Sequence, residues 1–221
     1  MSRGNILECM EKLKGKGKPI PRERWIFEIA EGLLHLHKVG LTHGALRGTN
    51  VLVNDNYGVL LSDFGFTLHY LAMAFRGAIG GSYIADIVPR WYAPEYWKPF
   101  PEDCDVQLLD GYEVCRQRIS MPMDVYAWAC VCVENLTLAK IYSGQPPQFE
   151  EIPYPSEHEF VIISQAVTLG ARPIRPKELE NDELWSLIQR CWSEQPSDRP
   201  TMEEIVRELP KVFPKLSFPT G

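Results

Sequence analysis

The string HGALRGTN at residues 43–50 is the most informative stretch of this sequence about the fold. Two apolar runs and an acidic tripeptide follow it along the chain. The apolar runs are VLV at residues 51–53 and VLL at residues 59–61, and the tripeptide is DFG at residues 63–65. The residues between the apolar runs, NDNYG at 54–58, have the composition of a hairpin turn. The sequence therefore predicts a β-hairpin between two loops that carry polar and charged side chains.

Helical periodicity surrounds this hairpin on both sides. Before it, residues 5–14 and 21–38 repeat apolar positions at helical spacing, and Gly40 comes next as a helix stop. After it, residues 123–138 are apolar on nearly all sides, which is typical of a buried helix. The remaining predicted helices are residues 157–169, 181–192 and 201–209. The predicted fold class is α+β, mainly α.

Three more strings complete a series with the loop and the DFG tripeptide. They are RWYAPE at residues 90–95, DVYAW at 124–128, and a C-terminal set with CW at 191–192 and PSDRP at 196–200. This series resembles the HRDxxxxN, DFG and APE motifs of the protein kinase family, in the same order and with compatible spacing. The string with its aromatic residues before APE is most similar to that of the tyrosine-kinase-like serine/threonine group. The sequence does not, however, separate serine/threonine kinases from tyrosine kinases.

The resemblance extends from Gly4, at a hinge-like position, to about Phe213. It implies one kinase-like domain over residues 1–213, with a tail at 214–221 and an insertion at the polar, irregular stretch 97–121. The expected structure is the helical C-terminal lobe of that fold, truncated at the hinge, with the small N-terminal lobe absent.

The resemblance also implies the functional residues. Asp63 is the aspartate that binds magnesium, and Asn50 helps to hold a second metal ion. His43 and Arg47 belong to the catalytic loop, and Leu52 forms part of the floor beneath adenine. The implied cofactors are Mg²⁺ and ATP, provided that nucleotide binding is retained. The residues alone leave another interpretation open, in which Asn50 caps a turn and Asp63 is a turn residue with local hydrogen bonds.

Other residues match structural positions of the family. Phe64 and Gly65 complete the DFG motif. Glu95 and Arg199 resemble the buried ion pair that ties the end of the activation segment to the helical base. Asp124 resembles the aspartate that holds the catalytic-loop backbone. The presence of these residues predicts a lobe that still folds, whatever its chemistry.

The chain departs from the family in three ways. Ala45 stands where the catalytic aspartate belongs, and a methyl group can neither accept a proton nor orient a hydroxyl group. Gly44 replaces the arginine that commonly clamps a phosphorylated loop residue, so phosphorylation of the 66–88 loop is not expected to switch this protein on. No glycine-rich phosphate loop and no strand lysine precede Gly4.

These departures predict a pseudokinase fragment, acting as an interaction or scaffold module with weak or no phosphoryl transfer. The alternative is a part of a longer ATP-binding serine/threonine or tyrosine kinase whose N-terminal lobe lies outside this chain. A third interpretation, a helical binding domain with accidental motif matches, predicts that the 43–50 loop does not lie beside a hairpin. Whether the chain is an enzyme is left undecided by its sequence.

Composition restricts the classes of partner. The net charge of −6 gives no basic excess with which to bind nucleic acid, so a protein partner is expected instead. The longest apolar run, residues 125–133, is far shorter than the ~20 residues needed to cross a bilayer, and no secretory signal is visible. Six cysteines without a CxxC pair are interpreted as buried thiols, which favours a reducing compartment, the cytoplasm or nucleus, over secretion.

Overall fold

The structure is a computed structural model that describes residues 3–64, 91–98, 119–141 and 166–216, with only the backbone of 137–141. Two helices come first, α1 (Ile6–Gly15) and α2 (Arg22–Lys38). A hairpin of β1 (Val51–Val53) and β2 (Val59–Leu61) comes next. The helices after it are α3 (Pro94–Trp97), α4 (Met121–Ile141), α5 (Asp182–Cys191) and α6 (Met202–Val212).

The predicted hairpin is confirmed, and it rests against the preceding helix. Its strands are antiparallel, with Val51 opposite Leu61 and Val53 opposite Val59. In the turn, the side-chain oxygen of Asn54 accepts the backbone N–H of Gly58 at 2.9 Å. The indole of Trp25, on α2, donates to a turn carbonyl at 2.8 Å. The 43–50 loop therefore lies beside a hairpin, contrary to what the interpretation of accidental motif matches predicts.

The helix predictions agree in position with the helices that the structure describes, and the ends of two of these helices differ from the prediction by more than one residue. Helix α4 begins at Met121, two residues earlier than expected, because Pro122 lies in the first turn, where a missing N–H breaks no helical hydrogen bond. It continues to Ile141, three residues beyond the prediction. Helix α6 continues through Pro210 to Val212, also three residues further than predicted. Pro210 lies inside the helix, where it has no N–H to donate to the preceding turn, so the helix continues there with one hydrogen bond fewer.

Helix α4 is the centre of the core, as its lack of a polar face indicates. Helices α1, α2 and α5 all pack against it, and α6 packs against α2 and α5. Trp128 on α4 is completely buried, and its indole donates to the carbonyl of Ile26 on α2 at 3.3 Å. The cysteines that the structure describes are buried free thiols, as predicted: Cys9, Cys130, Cys132 and Cys191.

Several sequence predictions fall partly or wholly outside the described residues. The expected insertion at 97–121 overlaps the described residues at its two ends, where Trp97 belongs to α3 and Ile119 is buried in the core. Residues 99–118 lie outside the description, as do residues 157–165 of the predicted helix 157–169 and the loop 66–88. In the expected tail, Leu216 packs against the core and residues 217–221 lie outside.

No helix in the described ranges combines the length and the apolar character that spanning a lipid bilayer requires.

Candidate functional site

The loop at residues 43–50 begins directly after the C-terminal cap of α2. Gly40 has a φ of +77°, which glycine adopts without strain, and its N–H donates to the carbonyl of His37 at 3.0 Å. The N–H of Leu41 donates to the carbonyl of Leu36 at 2.9 Å. These two bonds form a Schellman cap, which ends the helix and directs the chain into the loop.

Asp124, in the first turn of α4, holds the start of the loop. Its carboxylate accepts the backbone N–H groups of His43 at 2.7 Å and Gly44 at 2.8 Å. It also contacts Nε2 of His37 at 3.0 Å. The side chain of Asp124 is only 1% exposed, so all of these bonds form away from water, where each is stronger.

His43 is buried beneath the loop. Its Nδ1 lies 3.3 Å from the backbone N of Ala45, and its Nε2 finds no partner among the described residues. Burial lowers the pKa of the His43 imidazole, and the nearby carboxylate of Asp124 opposes that shift. The imidazole ring meets Phe64 edge to face, with 6.4 Å between the ring centroids.

The loop closes on itself through Asn50. The side-chain amide of Asn50 donates to the carbonyl of Ala45 at 2.9 Å, and Asn50 itself is buried. Its side-chain oxygen lies 3.4 Å from the hydroxyl group of Thr49. Ala45 is half-buried. The methyl group of Ala45 therefore stands in an intact loop, whose shape does not depend on an aspartate at that position.

Asp63 lies next to the loop because Ser62 joins them. The N–H of Ser62 donates to the carbonyl of Asn50 at 2.9 Å, and its hydroxyl group contacts the Asp63 carboxylate at 3.3 Å. Asp63 is exposed and has a φ of +59°, an uncommon conformation for a residue other than glycine. Phe64 is 48% exposed, and Gly65 lies outside the described residues.

Arg47 and Leu52 come before and after Asn50 in the chain, at the start of the short turn and in the strand β1. Leu52 is half-buried in β1, opposite Leu60, and forms an antiparallel bridge with Asn5. The carbonyl of Arg47 accepts the N–H of Asn50 at 2.9 Å in the short 3₁₀ turn that leads into β1. The structure thus brings Asp63 and Phe64 of the DFG motif next to the loop and the hairpin.

A neighbouring side chain packs closely against Gly44, the residue that the resemblance places where many kinases have an arginine. Gly44 has a φ of +71°, and a Cβ placed there would lie 2.9 Å from Cγ2 of Ile119. Ile119 is itself only 7% exposed, so it has little room to move. The sequence could not show this contact, because the two residues are distant along the chain.

Glu95 and Arg199 form a bidentate ion pair. The two N–O distances are 2.6 and 2.7 Å, and the Arg199 side chain is fully buried. The guanidinium also donates to the carbonyls of Pro122 and Ser193 at 3.0 and 2.9 Å. Through these bonds Arg199 joins α3, the start of α4 and the loop after α5.

Sequence reasoning missed Glu134. This residue is 2% exposed and accepts hydrogen bonds from Gly48 in the loop and from the indole of Trp91. A signal was available: an acidic residue directly after the apolar run 125–133 has to be buried with the helix, and a buried carboxyl group requires hydrogen-bond donors.

In the part of the chain that the structure describes, no cluster of three or more His, Cys, Asp or Glu side chains is arranged to hold a metal ion. Asp63 and Asn50 offer oxygen ligands of the kind that Mg²⁺ prefers.

Comparison with known proteins establishes the class. A family model described as "Protein tyrosine and serine/threonine kinase" matches residues 1–209. The chain therefore belongs to the protein kinase family, and the mainly helical architecture with its small hairpin is the C-terminal lobe of that fold. The family description covers both tyrosine and serine/threonine kinases, so it does not divide the two types.

The relatives have diverse names. Kinase suppressor of Ras A from Caenorhabditis elegans is 30% identical over 198 residues, which cover 87% of this chain and 23% of the relative. Serine/threonine/tyrosine-protein kinase HT1 from Arabidopsis thaliana is 29% identical over 214 residues, covering 96% of this chain and 45% of the relative. Receptor-type guanylate cyclase gcy-5 from Caenorhabditis elegans is 31% identical over 202 residues, covering 86% and 15%. The chain spans less than half the length of each.

Proposed function

We propose that this chain is a pseudokinase lobe, which acts as a protein-binding scaffold module and transfers phosphate weakly or not at all. The observation that carries the proposal is Ala45, at the position of the general base. Losing a general base commonly costs about 10²–10⁴-fold in rate. Membership of the family does not by itself imply phosphoryl transfer, since one similar relative is named as a receptor-type guanylate cyclase.

The next two acidic residues along the chain after Ala45 do not replace the missing base. Asp55 belongs to the hairpin turn, where its backbone carbonyl accepts two hydrogen bonds from Arg3. Asp63 is the residue expected to bind the metal ion, so its carboxylate is engaged when nucleotide is present. The contact between Gly44 and Ile119 supports the same proposal, because it leaves no space for the arginine that would bind a phosphorylated loop.

Magnesium and ATP are proposed as ligands on the donor chemistry alone. The Asp63 carboxylate and the side-chain oxygen of Asn50 would hold Mg²⁺, with phosphate and water oxygens completing its coordination. The metal ion would neutralise phosphate charge. Leu52 would contact the adenine ring from below.

A second candidate is a longer ATP-binding kinase of which this chain is one part. The observation that favours it is the length of the relatives, of which the chain covers 15–45% in the three cases above. Transcript sequence upstream of Met1 is the direct test. An in-frame segment with a glycine-rich loop and a strand lysine supports this candidate, and an immediate stop codon contradicts it.

The experiment for the main proposal measures phosphate transfer to a mixed peptide substrate, using radiolabelled ATP with Mg²⁺. The chain should show no transfer above that of its Asp63→Ala variant. Transfer by the chain that Asp63→Ala abolishes would refute the proposal. Ala45→Asp is the matched gain-of-function variant, and a measurable rate in this variant alone would identify residue 45 as the limiting loss.

Nucleotide binding is tested separately by thermal shift, with and without Mg²⁺, on this chain and on any longer form. A shift that needs Mg²⁺ and disappears in Asp63→Ala supports the assigned ligands. For the scaffold role, proteins that co-purify with the chain should also co-purify with Ala45→Asp. Partners captured only by Ala45→Asp would indicate substrates of an active kinase rather than partners of a scaffold.

A further inference from the structure

Glu134 connects two parts of the candidate site that are far apart in sequence. It lies on α4 and is 2% exposed. Its Oε2 atom accepts the backbone N–H of Gly48, in the loop, at 2.9 Å. The same oxygen accepts the indole N–H of Trp91, in the segment before α3, at 3.1 Å. One buried oxygen therefore receives both donors.

The loop backbone approaches this carboxyl group so closely that the contact depends on glycine. A Cβ placed on Gly48 would lie 3.0 Å from the carboxyl carbon of Glu134 and 2.9 Å from Cδ2 of Leu7 on α1. Gly48 is thus enclosed between two helices, and any larger residue would push it away from Glu134.

From this geometry we infer that Glu134 is a positioning residue, which fixes Gly48 of the loop and Trp91 of the activation-segment end relative to one another. Asp124 holds the loop at its start, and Glu134 holds it near its end. Neither of these two hydrogen bonds involves Ala45 or nucleotide. This inference goes beyond the proposed function, since it holds whether or not the chain transfers phosphate.

Substitutions separate this role from a general contribution to stability. Glu134→Leu removes the acceptor and leaves both N–H groups unpaired in a buried place, which is costly. Glu134→Gln retains an oxygen that can accept both bonds. Asn135→Leu is the matched control, because Asn135 is an equally buried polar neighbour on α4 whose side chain donates to Arg22 instead.

The readouts are hydrogen exchange at the Gly48 amide and at the Trp91 indole N–H, measured by NMR on the full chain. In Glu134→Leu, exchange at both groups should accelerate by about tenfold or more, the order expected when a buried hydrogen bond is lost. Glu134→Gln should restore slow exchange at both, and Asn135→Leu should leave the ratio of these rates to those of core amides unchanged. Equal acceleration at all amides in Glu134→Leu would overturn the inference.

Trp91→Phe removes the indole N–H and keeps an aromatic ring, so it tests the connection between Trp91 and Gly48 through Glu134 with a milder change. This variant can still be measured if Glu134→Leu does not fold. If the shared oxygen couples the two groups, Trp91→Phe changes the exchange rate of the Gly48 amide by about threefold or more in the Glu134 background. The Gly48 rate should not respond to Trp91→Phe in a Glu134→Leu background that folds. An unchanged Gly48 rate with Glu134 present contradicts the coupling.

Discussion

Removing Glu95 should destabilise the lobe far more than removing an exposed ion pair. Glu95→Leu leaves the fully buried guanidinium of Arg199 without its counter-charge. Breaking a buried pair in this way costs about 3–5 kcal/mol, because the remaining charge is still desolvated. For a domain of this size, that corresponds to a decrease in Tm of roughly 6–20 °C.

The double variant Glu95→Leu with Arg199→Met should recover part of this loss. Replacing both charges by apolar groups is often close to neutral, so the electrostatic cost disappears. The carbonyls of Pro122 and Ser193 lose their donors from Arg199, however, which leaves a cost of about 1–3 kcal/mol. The double variant should therefore be more stable than Glu95→Leu alone, although less stable than the unmodified chain.

Urea denaturation followed by tryptophan fluorescence measures these differences. The control is Lys98→Met, which breaks the pair with Glu194, whose two side chains are 43% and 41% exposed. An exposed pair of this kind contributes at most about 1 kcal/mol. The single variant Arg199→Met is measured as well. If the losses of stability in Glu95→Leu and Arg199→Met simply add in the double variant, the two side chains are not coupled, which contradicts the expected recovery.

Three further predictions concern the loop and the core. Gly44→Ala should lower the free energy of unfolding by about 1–2 kcal/mol through backbone strain, and by a further amount through the clash at 2.9 Å with Ile119. Adding Ile119→Ala to Gly44→Ala should relieve the clash and leave the strain. An unchanged urea midpoint in Gly44→Ala would contradict this prediction. Burial lowers the pKa of His43, so as the pH falls the unfolded chain takes up a proton at His43 before the folded chain does. The stability that is fully present above about pH 6.5, the ordinary pKa of histidine, should therefore decrease as the pH falls toward the lower pKa of the folded chain. His43→Gln should reduce that pH slope and the exposed His35→Gln should not, as measured by urea midpoints across the pH range. Burial raises the pKa of the Cys130 thiol to about 12, so iodoacetamide should leave Cys130 unlabelled in the folded chain, and mass spectrometry showing rapid labelling would argue against the buried placement.

The fold is predictable from sequence where the signals are local. The hairpin at 51–61 is indicated by two apolar runs and a turn, and the buried helix by its apolar composition. The start of α4 and the end of α6 are harder to place, because a proline in sequence commonly marks a helix boundary. Pro122 lies in the first turn, where proline breaks no helical hydrogen bond, whereas Pro210 lies inside the last turn of α6, which the rule does not anticipate.

The residues of the site can be proposed from sequence, but their contacts cannot. Asp63 follows Ser62, which bonds the carbonyl of Asn50, and the bond from Asn50 to Ala45 is a matter of side-chain direction that sequence does not report. The packing of Ile119 on Gly44 joins residues 75 positions apart, and no periodicity reports such a contact. Glu134 is recognisable in sequence as a buried acidic residue, although its two donors are not.

The two acidic anchors on α4, Asp124 and Glu134, hold backbone groups of the loop on both sides of residue 45 and make no use of the side chain there. Asp124 and Glu134 are ten residues apart, which is about 15 Å along a helix. The four residue steps from Gly44 to Gly48 can reach roughly 13–14 Å at most. Deleting one residue would shorten that maximum reach by about 3.5 Å, whereas alanine at residue 45 leaves both ends held. The chemistry of such a loop can therefore be lost by a point substitution at residue 45 while its attachment to the core is retained.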